Sequence, residues 1–323
     1  MLKNFLKISM LRIFLRQFSV FFSIFFFKKI NFNQKKHNEI EQYINKKVSE
    51  IFKKNPRLIT HQNFSNEILK VIKFQKLKTF LRNTKIQNII FIHNRLFIFF
   101  ELNELKTDKN WKFWKKLIME NDIGKPVRYF LYSNSSGNRI RQVYILKKFL
   151  DNYKTLKLNK INRIIEIGGG YGCMADIFKK VNKKIPYTIY DMFESNLLQY
   201  YFLKMNNHKP TIGKTTGNLN LINNLKQLNQ FIDNKTNYLL IANWSISEFP
   251  INFRKNFYKS ISKSKYTIIS FQENFENINN LKFFKRMIKS LSKKFNFELQ
   301  TFDHYNNSFL NNNKHYLLTL IKK

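Results

Sequence analysis

Glu166, Gly168, Gly170 and Gly172 stand at the spacing acid-x-Gly-x-Gly-x-Gly, directly after the β-branched run that begins Arg163-Ile164-Ile165. The residues that follow, Met174 to Lys180, repeat their apolar side chains at helical spacing. A strand that stops in a glycine turn and re-enters as a helix lays a ligand over the strand end and against a helix N-terminus. The spacing narrows the choice of ligand. A dinucleotide fingerprint needs a glycine where Cys173 stands, and nicotinamide enzymes carry an apolar residue where Glu166 stands. A carboxylate at that point suits a ligand bearing an ammonium group. The plainer alternative is a glycine-rich turn that holds nothing.

Further polar groups fall at the ends of other apolar runs. Ile185 to Tyr190 alternates as a strand and ends at Asp191, about 20 residues past the glycines. That is the distance at which a carboxylate takes two ribose hydroxyls as hydrogen-bond donors, and a mere strand-end acid is the other reading. Tyr238 to Ala242 is the next buried strand, opening into Asn243-Trp244-Ser245-Ile246-Ser247-Glu248. Glu248 fits a base or substrate ligand as well as it fits a structural cap. Phe295 to Phe302 and His315 to Ile321 read as a closing antiparallel pair, with Asp303, His304 and Tyr305 in the loop between them. His304 is a second candidate base, or a loop histidine at the surface.

The elements that must position these groups are unevenly legible. Ser195 suits the N-cap of a helix that turns Leu197, Leu198, Tyr201 and Phe202 inward. Tyr266 to Phe271 supplies another strand, while nothing between Pro210 and Asp233 resolves into an element. Upstream, residues 30 to 110 read as mostly helical, with Ser65 capping a helix that carries Ile68, Leu69, Ile72 and Leu77. Asn88 to Leu102 is aromatic and β-branched, and helix and strand are not separable there. Between Trp111 and Tyr153 come turn chemistry at Asn121 to Pro126, a polar loop at Ser133 to Asn138, and a helix bearing Arg139, Arg141 and Tyr144. Those hydroxyls, amides and arginines lie close enough in sequence to reach the carboxylate of the glycine-loop strand; a solvated loop capping a helix explains them equally well.

Composition sets the outer bounds. A chain of 323 residues with 43% apolar residues holds a genuine core and room for a long extension. The single cysteine, Cys173, excludes an intrachain disulfide and points to a reducing compartment; as a side chain it reads as a small residue packed under the loop. No zinc-type cluster of cysteine and histidine occurs, so no metal site is expected. The net charge of +38 favours anionic partners, namely nucleic acid, acidic lipid or phosphate-bearing substrates. Residues 1 to 29 carry a Phe stripe (Phe18, Phe21, Phe22, Phe25, Phe26) beside Arg12 and Arg16. The run is too short to span a bilayer and lacks a cleavage site, so it reads as a basic amphipathic helix lying on an anionic membrane face or as a helix on the protein's own core.

The strand, acid, loop and helix around Gly168 resemble motif I of the class I S-adenosylmethionine-dependent methyltransferases. In that family the acid faces the amino group of the methionine part, and the glycines admit the ligand against the backbone. Taken with Tyr187 to Asp191, Asn243 to Glu248, the Gly124-x-Pro126 turn and the Arg141-to-Tyr144 segment, residues 111 to 323 resemble the sugar O-methyltransferase family, bacterial enzymes associated with surface polysaccharides. Gln142 departs from the pattern, where a histidine is expected. The resemblance implies a Rossmann-like α/β domain of seven strands, the last antiparallel, over residues 158–323. Residues 37–157 would form a mostly helical region and residues 1–36 the basic segment. It further implies S-adenosyl-L-methionine held by Glu166, Gly168, Gly169, Gly170, Tyr171, Gly172, Asp191 and Asn243, with Glu248 and His304 at the acceptor.

The acceptor on this reading is a sugar, sugar nucleotide or lipid-linked glycan, methylated in the cytoplasm or at the cytoplasmic membrane face. Nucleic-acid methylation is the rival. Amino-methylating enzymes generally carry an Asn/Asp-Pro-Pro-aromatic motif to hold a flipped base, and here Asn243 is followed by Trp244-Ser245-Ile246. The basic residues also look scattered along the sequence. A reductase and a non-catalytic binding protein complete the alternatives.

Overall fold

A computed structural model describes residues 21, 32–54, 64–74, 77–90, 97–153, 161–232, 237–302 and 313–323. Their contacts divide the chain into two compact units. One comprises residues 1–144, 170–177 and 197–208, the other residues 145–169, 178–196 and 209–323.

The second unit is built on one eight-stranded sheet. Its strands are β1 (Arg163–Ile167), β2 (Tyr187–Tyr190), β3 (Thr211–Ile212), β4 (Leu219–Ile222), β5 (Tyr238–Asn243), β6 (Tyr266–Gln272), β7 (Phe295–Thr301) and β8 (His315–Lys322). Across the sheet they run β7-β8-β6-β5-β1-β2-β4-β3. Neighbours from β6 to β3 pair in parallel, whereas β8 is antiparallel to both β6 and β7. The sheet is Rossmann-like, and all seven strands that the resemblance implies are present, the last of them antiparallel. The two-residue strand β3 adds an eighth at the edge.

Runs buried on both faces explain why the central strands form. Leu239, Leu240, Ile241 and Ala242 are fully buried, as are Ile164, Ile165 and Ile167, the continuous pattern of parallel strands covered on both sides. One face packs Ile165, Leu240, Ile269 and Leu318 against Phe284, Ile288 and Leu291. Those last three belong to a helix, Asn280–Leu291, described with the site below. On the opposite face Asn152 donates to the Thr319 hydroxyl at 3.1 Å and Phe149 meets Tyr266 edge to face. Ser195 does not cap a helix. The helix begins at Phe193, and Ser195 is buried inside it.

The first unit is mostly helical: α1 (Gln34–Lys54), α2 (Phe64–Phe74), α3 (Thr84–Ile90), α4 (Phe97–Thr107) and α5 (Trp111–Ile118). Helix α2 buries Ile68, Leu69 and Ile72, and the ambiguous stretch after Asn88 is helical wherever it is described. Ser133 to Asn138 is not a solvated loop. Tyr132–Ser136 is a strand, and Ser135, Ser136 and Asn138 are buried. The arginines that follow are held in buried ion pairs, Arg139 with Asp176 at 2.7 Å and Arg141 with Glu101. Removing one partner of such a pair costs about 3–5 kcal/mol, because a charge is left buried alone. His208 also meets Asp176, at 2.7 Å. Among the described residues no helix is long and apolar enough to cross a membrane. Of residues 1–29, which carry the Phe stripe, only Phe21 is among them.

Candidate active site

Parallel strands present their carboxyl ends along one edge of the sheet, and open α/β sheets bind ligands outside that edge. In the second unit Gly168 follows β1, Asp191 follows β2, Asn243 ends β5 and Gln272 ends β6. Because β8 is antiparallel, its first residue, His315, lies at the same edge, in register with Gln272.

Gly168 adopts φ +71°, a left-handed conformation that costs a non-glycine residue strain. Its N–H donates to the Tyr190 carbonyl at 2.8 Å, and a Cβ added there would collide with the Ser245 side chain. Ser245 donates its hydroxyl to the Ile167 carbonyl, so the turns after β1 and β5 are locked together. Gly168→Ala is expected to cost about 1–3 kcal/mol of stability, from overpacking added to backbone strain. An unchanged urea midpoint would show that the loop relaxes freely.

Glu166 lies in β1, 4% exposed, and accepts a hydrogen bond from the Tyr187 hydroxyl at 2.7 Å. Burial pushes its carboxyl up to about 8; the tyrosine bond acts the other way, and the charge of Asp191 adds to the rise. Asp191 is half-buried, with its backbone N–H on the Ile222 carbonyl and its Oδ1 accepting from the Met192 N–H. Asn243, also half-buried, accepts from the Ser270 hydroxyl at 2.9 Å.

Beyond β5 the chain turns through Trp244, a non-glycine residue at φ +52°. Its indole N–H donates to His315 Nδ1 at 2.9 Å, and its ring stacks on Phe302. A short 3-10 turn, Ile246–Glu248, then sets Glu248 Oε1 to accept from the Gln272 amide at 3.2 Å. Glu248 reaches the surface with part of its side chain, yet crowding around the carboxyl pushes it up to about 7, with the Gln272 bond pulling it back. Arg254 holds this turn in place. It donates to the carbonyls of Ser247 and Phe249 and to Asn280 Oδ1 at 2.6–2.7 Å.

Gln272, Arg254 and His315 carry no local signal in the sequence; the parallel and antiparallel registers bring them to the edge. His304 lies outside the described residues.

Gly169 still belongs to the second unit, and from Gly170 onward the loop belongs to the first. Gly170 and Gly172 both have positive φ. The Gly170 carbonyl accepts from Gln199 at 3.1 Å, and the Gly172 carbonyl accepts from the Asp176 N–H at 3.1 Å. Tyr171 is buried. Its hydroxyl donates to Glu120 and accepts from Asn138. Cys173 is likewise buried, and burial pushes its thiol up to about 12, as for a small residue packed under the loop. Among the described residues no group of three His, Cys, Asp or Glu side chains is placed to hold a metal.

No protein-family model and no curated protein matches the chain. Solved structures do share parts of its fold at low identity. The methyltransferase domain of bacterial CtHen1 is 14% identical, with a TM-score of 0.39 over 54% of this chain and 97% of that one. The METTL16 methyltransferase domain is 12% identical, with a TM-score of 0.39 over 56% of this chain and 67% of that one. Phosphoethanolamine N-methyltransferase 2 of Haemonchus contortus, in complex with S-adenosyl-L-methionine, is 11% identical, with a TM-score of 0.41 over 71% of this chain and 60% of that one.

Proposed function

We propose that the chain is an S-adenosylmethionine-dependent O-methyltransferase whose acceptor is a sugar hydroxyl. One observation carries the reading: a buried carboxyl two residues before a left-handed glycine at the end of β1, with a second carboxylate at the end of the adjacent strand β2. The donor set fits the cofactor. Glu166 suits its ammonium group, Asp191 suits its ribose hydroxyls, and Gly168 supplies the left-handed turn after the strand, with Ser245 filling the place of its missing Cβ. When bound, the cofactor supplies a methyl group already activated by its sulfonium. The chain must then align an acceptor oxygen and take away its proton. Glu248 serves as that base, its carboxyl tuned near neutrality and its orientation fixed by Gln272. His304 remains the second candidate.

The resemblance supports a sugar, sugar nucleotide or lipid-linked glycan of surface polysaccharide as acceptor. The Phe stripe beside Arg12 and Arg16 supports an enzyme on the cytoplasmic side that touches an anionic membrane through residues 1–29. A nucleic-acid acceptor is the second reading, favoured by a cluster of exposed cations on one helix, Asn280–Leu291. Calorimetry with S-adenosylmethionine and with NADH tests the first step. Heat from S-adenosylmethionine alone is expected, with Asp191→Ala weakening it by about 1.5–3 kcal/mol if a charged hydrogen bond is lost. Tight NADH binding without S-adenosylmethionine heat would overturn the assignment.

A further inference from the structure

Cations that look scattered in the sequence share one face in the second unit. The helix α6 (Asn280–Leu291) exposes Lys282, Lys285, Arg286 and Lys289, spaced at i, i+3, i+4 and i+7. With Asn279 and Leu281 they line a shallow, open depression of about 420 Å³ on the helix surface. No acid occurs between Glu276 and Glu298, and none of the four cations forms an ion pair among the described residues. Like charges at these spacings repel, so the stripe destabilises its own helix. The buried face, with Phe284, Met287, Ile288 and Leu291, holds the helix in place.

The position of the stripe bears on its use. At its start, Asn280 donates to the Gln272 carbonyl and accepts from Arg254, and Gln272 is the residue that holds Glu248. Toward its end, the Tyr258 hydroxyl meets Ser290 at 2.9 Å, which sets a ring 42% exposed beside the cations, flanked by exposed Lys255 and Lys259.

Three anionic partners can be compared with this surface. A sugar nucleotide or lipid-linked glycan carries its phosphates at one point and meets only part of the stripe. An anionic membrane holds a helix most firmly where apolar residues insert, and the apolar face of this helix is already buried. A single-stranded polynucleotide repeats its phosphates along a line and offers bases to stack on an exposed ring. Lys282 to Lys289 spans about 10 Å of helix, the rise of about three stacked nucleotides.

We propose that this face of α6 binds the phosphate backbone of single-stranded RNA and leads the strand to the carboxyl edge of the sheet. The choice of RNA over DNA rests on the sugar-hydroxyl reading above, since a hydroxyl repeated along the chain is supplied by ribose. Binding itself does not depend on methyl transfer.

Anisotropy of a fluorescein-labelled oligouridylate of about 20 nucleotides, with the full chain, tests it. Four phosphate contacts give a slope of log affinity against log salt near −3, or about 50-fold weaker binding at 200 mM than at 50 mM salt. The variant Lys282→Gln/Lys285→Gln/Arg286→Gln/Lys289→Gln is expected to lose at least 30-fold in affinity and most of that slope. A control, Lys35→Gln/Lys46→Gln/Lys112→Gln/Lys115→Gln, removes the same charge from exposed positions of the first unit and should bind as the wild type. Equal losses in both variants would overturn the proposal in favour of bulk charge. So would tighter binding to phosphatidylserine vesicles, or to a phosphodiester-linked glycan, than to RNA in the same buffer. Calorimetry with S-adenosylmethionine on the wild type separates the two readings, because missing cofactor heat counts against methyl transfer and leaves the RNA result standing.

Discussion

Replacing Glu166 by glutamine is expected to weaken S-adenosylmethionine binding by about 10- to 100-fold while making the unliganded protein harder to melt at alkaline pH. The two effects share a cause. A carboxyl raised to about 8 is largely protonated at neutral pH. Taking on an ammonium group favours its ionised form, so cofactor binding releases a proton, and affinity climbs as pH rises from 6 toward 8. The calorimetric heat should then vary with the ionisation enthalpy of the buffer for the wild type and not for Glu166→Gln. The loss of affinity follows from removing one charged hydrogen bond, worth about 1.5–3 kcal/mol. The stability effect has a definite sign. Between the ordinary carboxylate range and about 8 the folded state keeps a proton that the unfolded chain has lost, so stability declines with rising pH across that window. Glutamine has no proton to lose, and its advantage over the wild type should grow until about pH 8 and then level off. A variant that binds the cofactor normally, or that melts below the wild type throughout, would sink the assignment of Glu166 as the ammonium partner.

Glu248→Gln is expected to lower turnover by the roughly 10²–10⁴-fold typical of losing a general base, with cofactor affinity nearly intact. The amide keeps the side chain beside Gln272, so a merely structural role survives the change and a chemical one does not. The pH profile is the sharper readout. With its carboxyl pushed up to about 7, Glu248 is half-ionised near neutrality, and wild-type kcat should rise through pH 7 to a plateau. In Glu248→Gln that limb should vanish. Normal turnover with the limb retained would move the proton to another acceptor, with His304→Ala the next variant to make.

Most of the sheet was legible in the sequence because its central strands are buried on both faces and read as unbroken apolar runs. Strand β4 was not. Leu219–Ile222 is four residues long, and Asn220 interrupts the run with a side chain that bonds Gly217 within the same bend. The acids at the ends of β1 and β2 could be found because each follows directly on its strand. The setting of Glu248 could not, because Gln272, Arg254 and Asn280 come together only through register between strands and the helix that follows β6. The arginines at 139 and 141 were misleading for the same reason. Their partners, Asp176 and Glu101, lie 37 and 40 residues away in the chain and leave no local mark.

The place of β8 between β6 and β7 has a consequence for how the chain matures. The last strand of this sheet in chain order is an interior one. As the polypeptide leaves the ribosome, β1 to β6 can assemble in parallel, but β7 emerges with no neighbour to pair with and β6 keeps an unpaired edge. Both wait for β8. Contacts of such long sequence separation form slowly, and an apolar edge left open is a template for association with other chains. The same insertion that carries His315 to the carboxyl edge of the sheet therefore gives the nascent protein a period of vulnerability, in which synthesis rate and chaperone access govern the yield of folded protein.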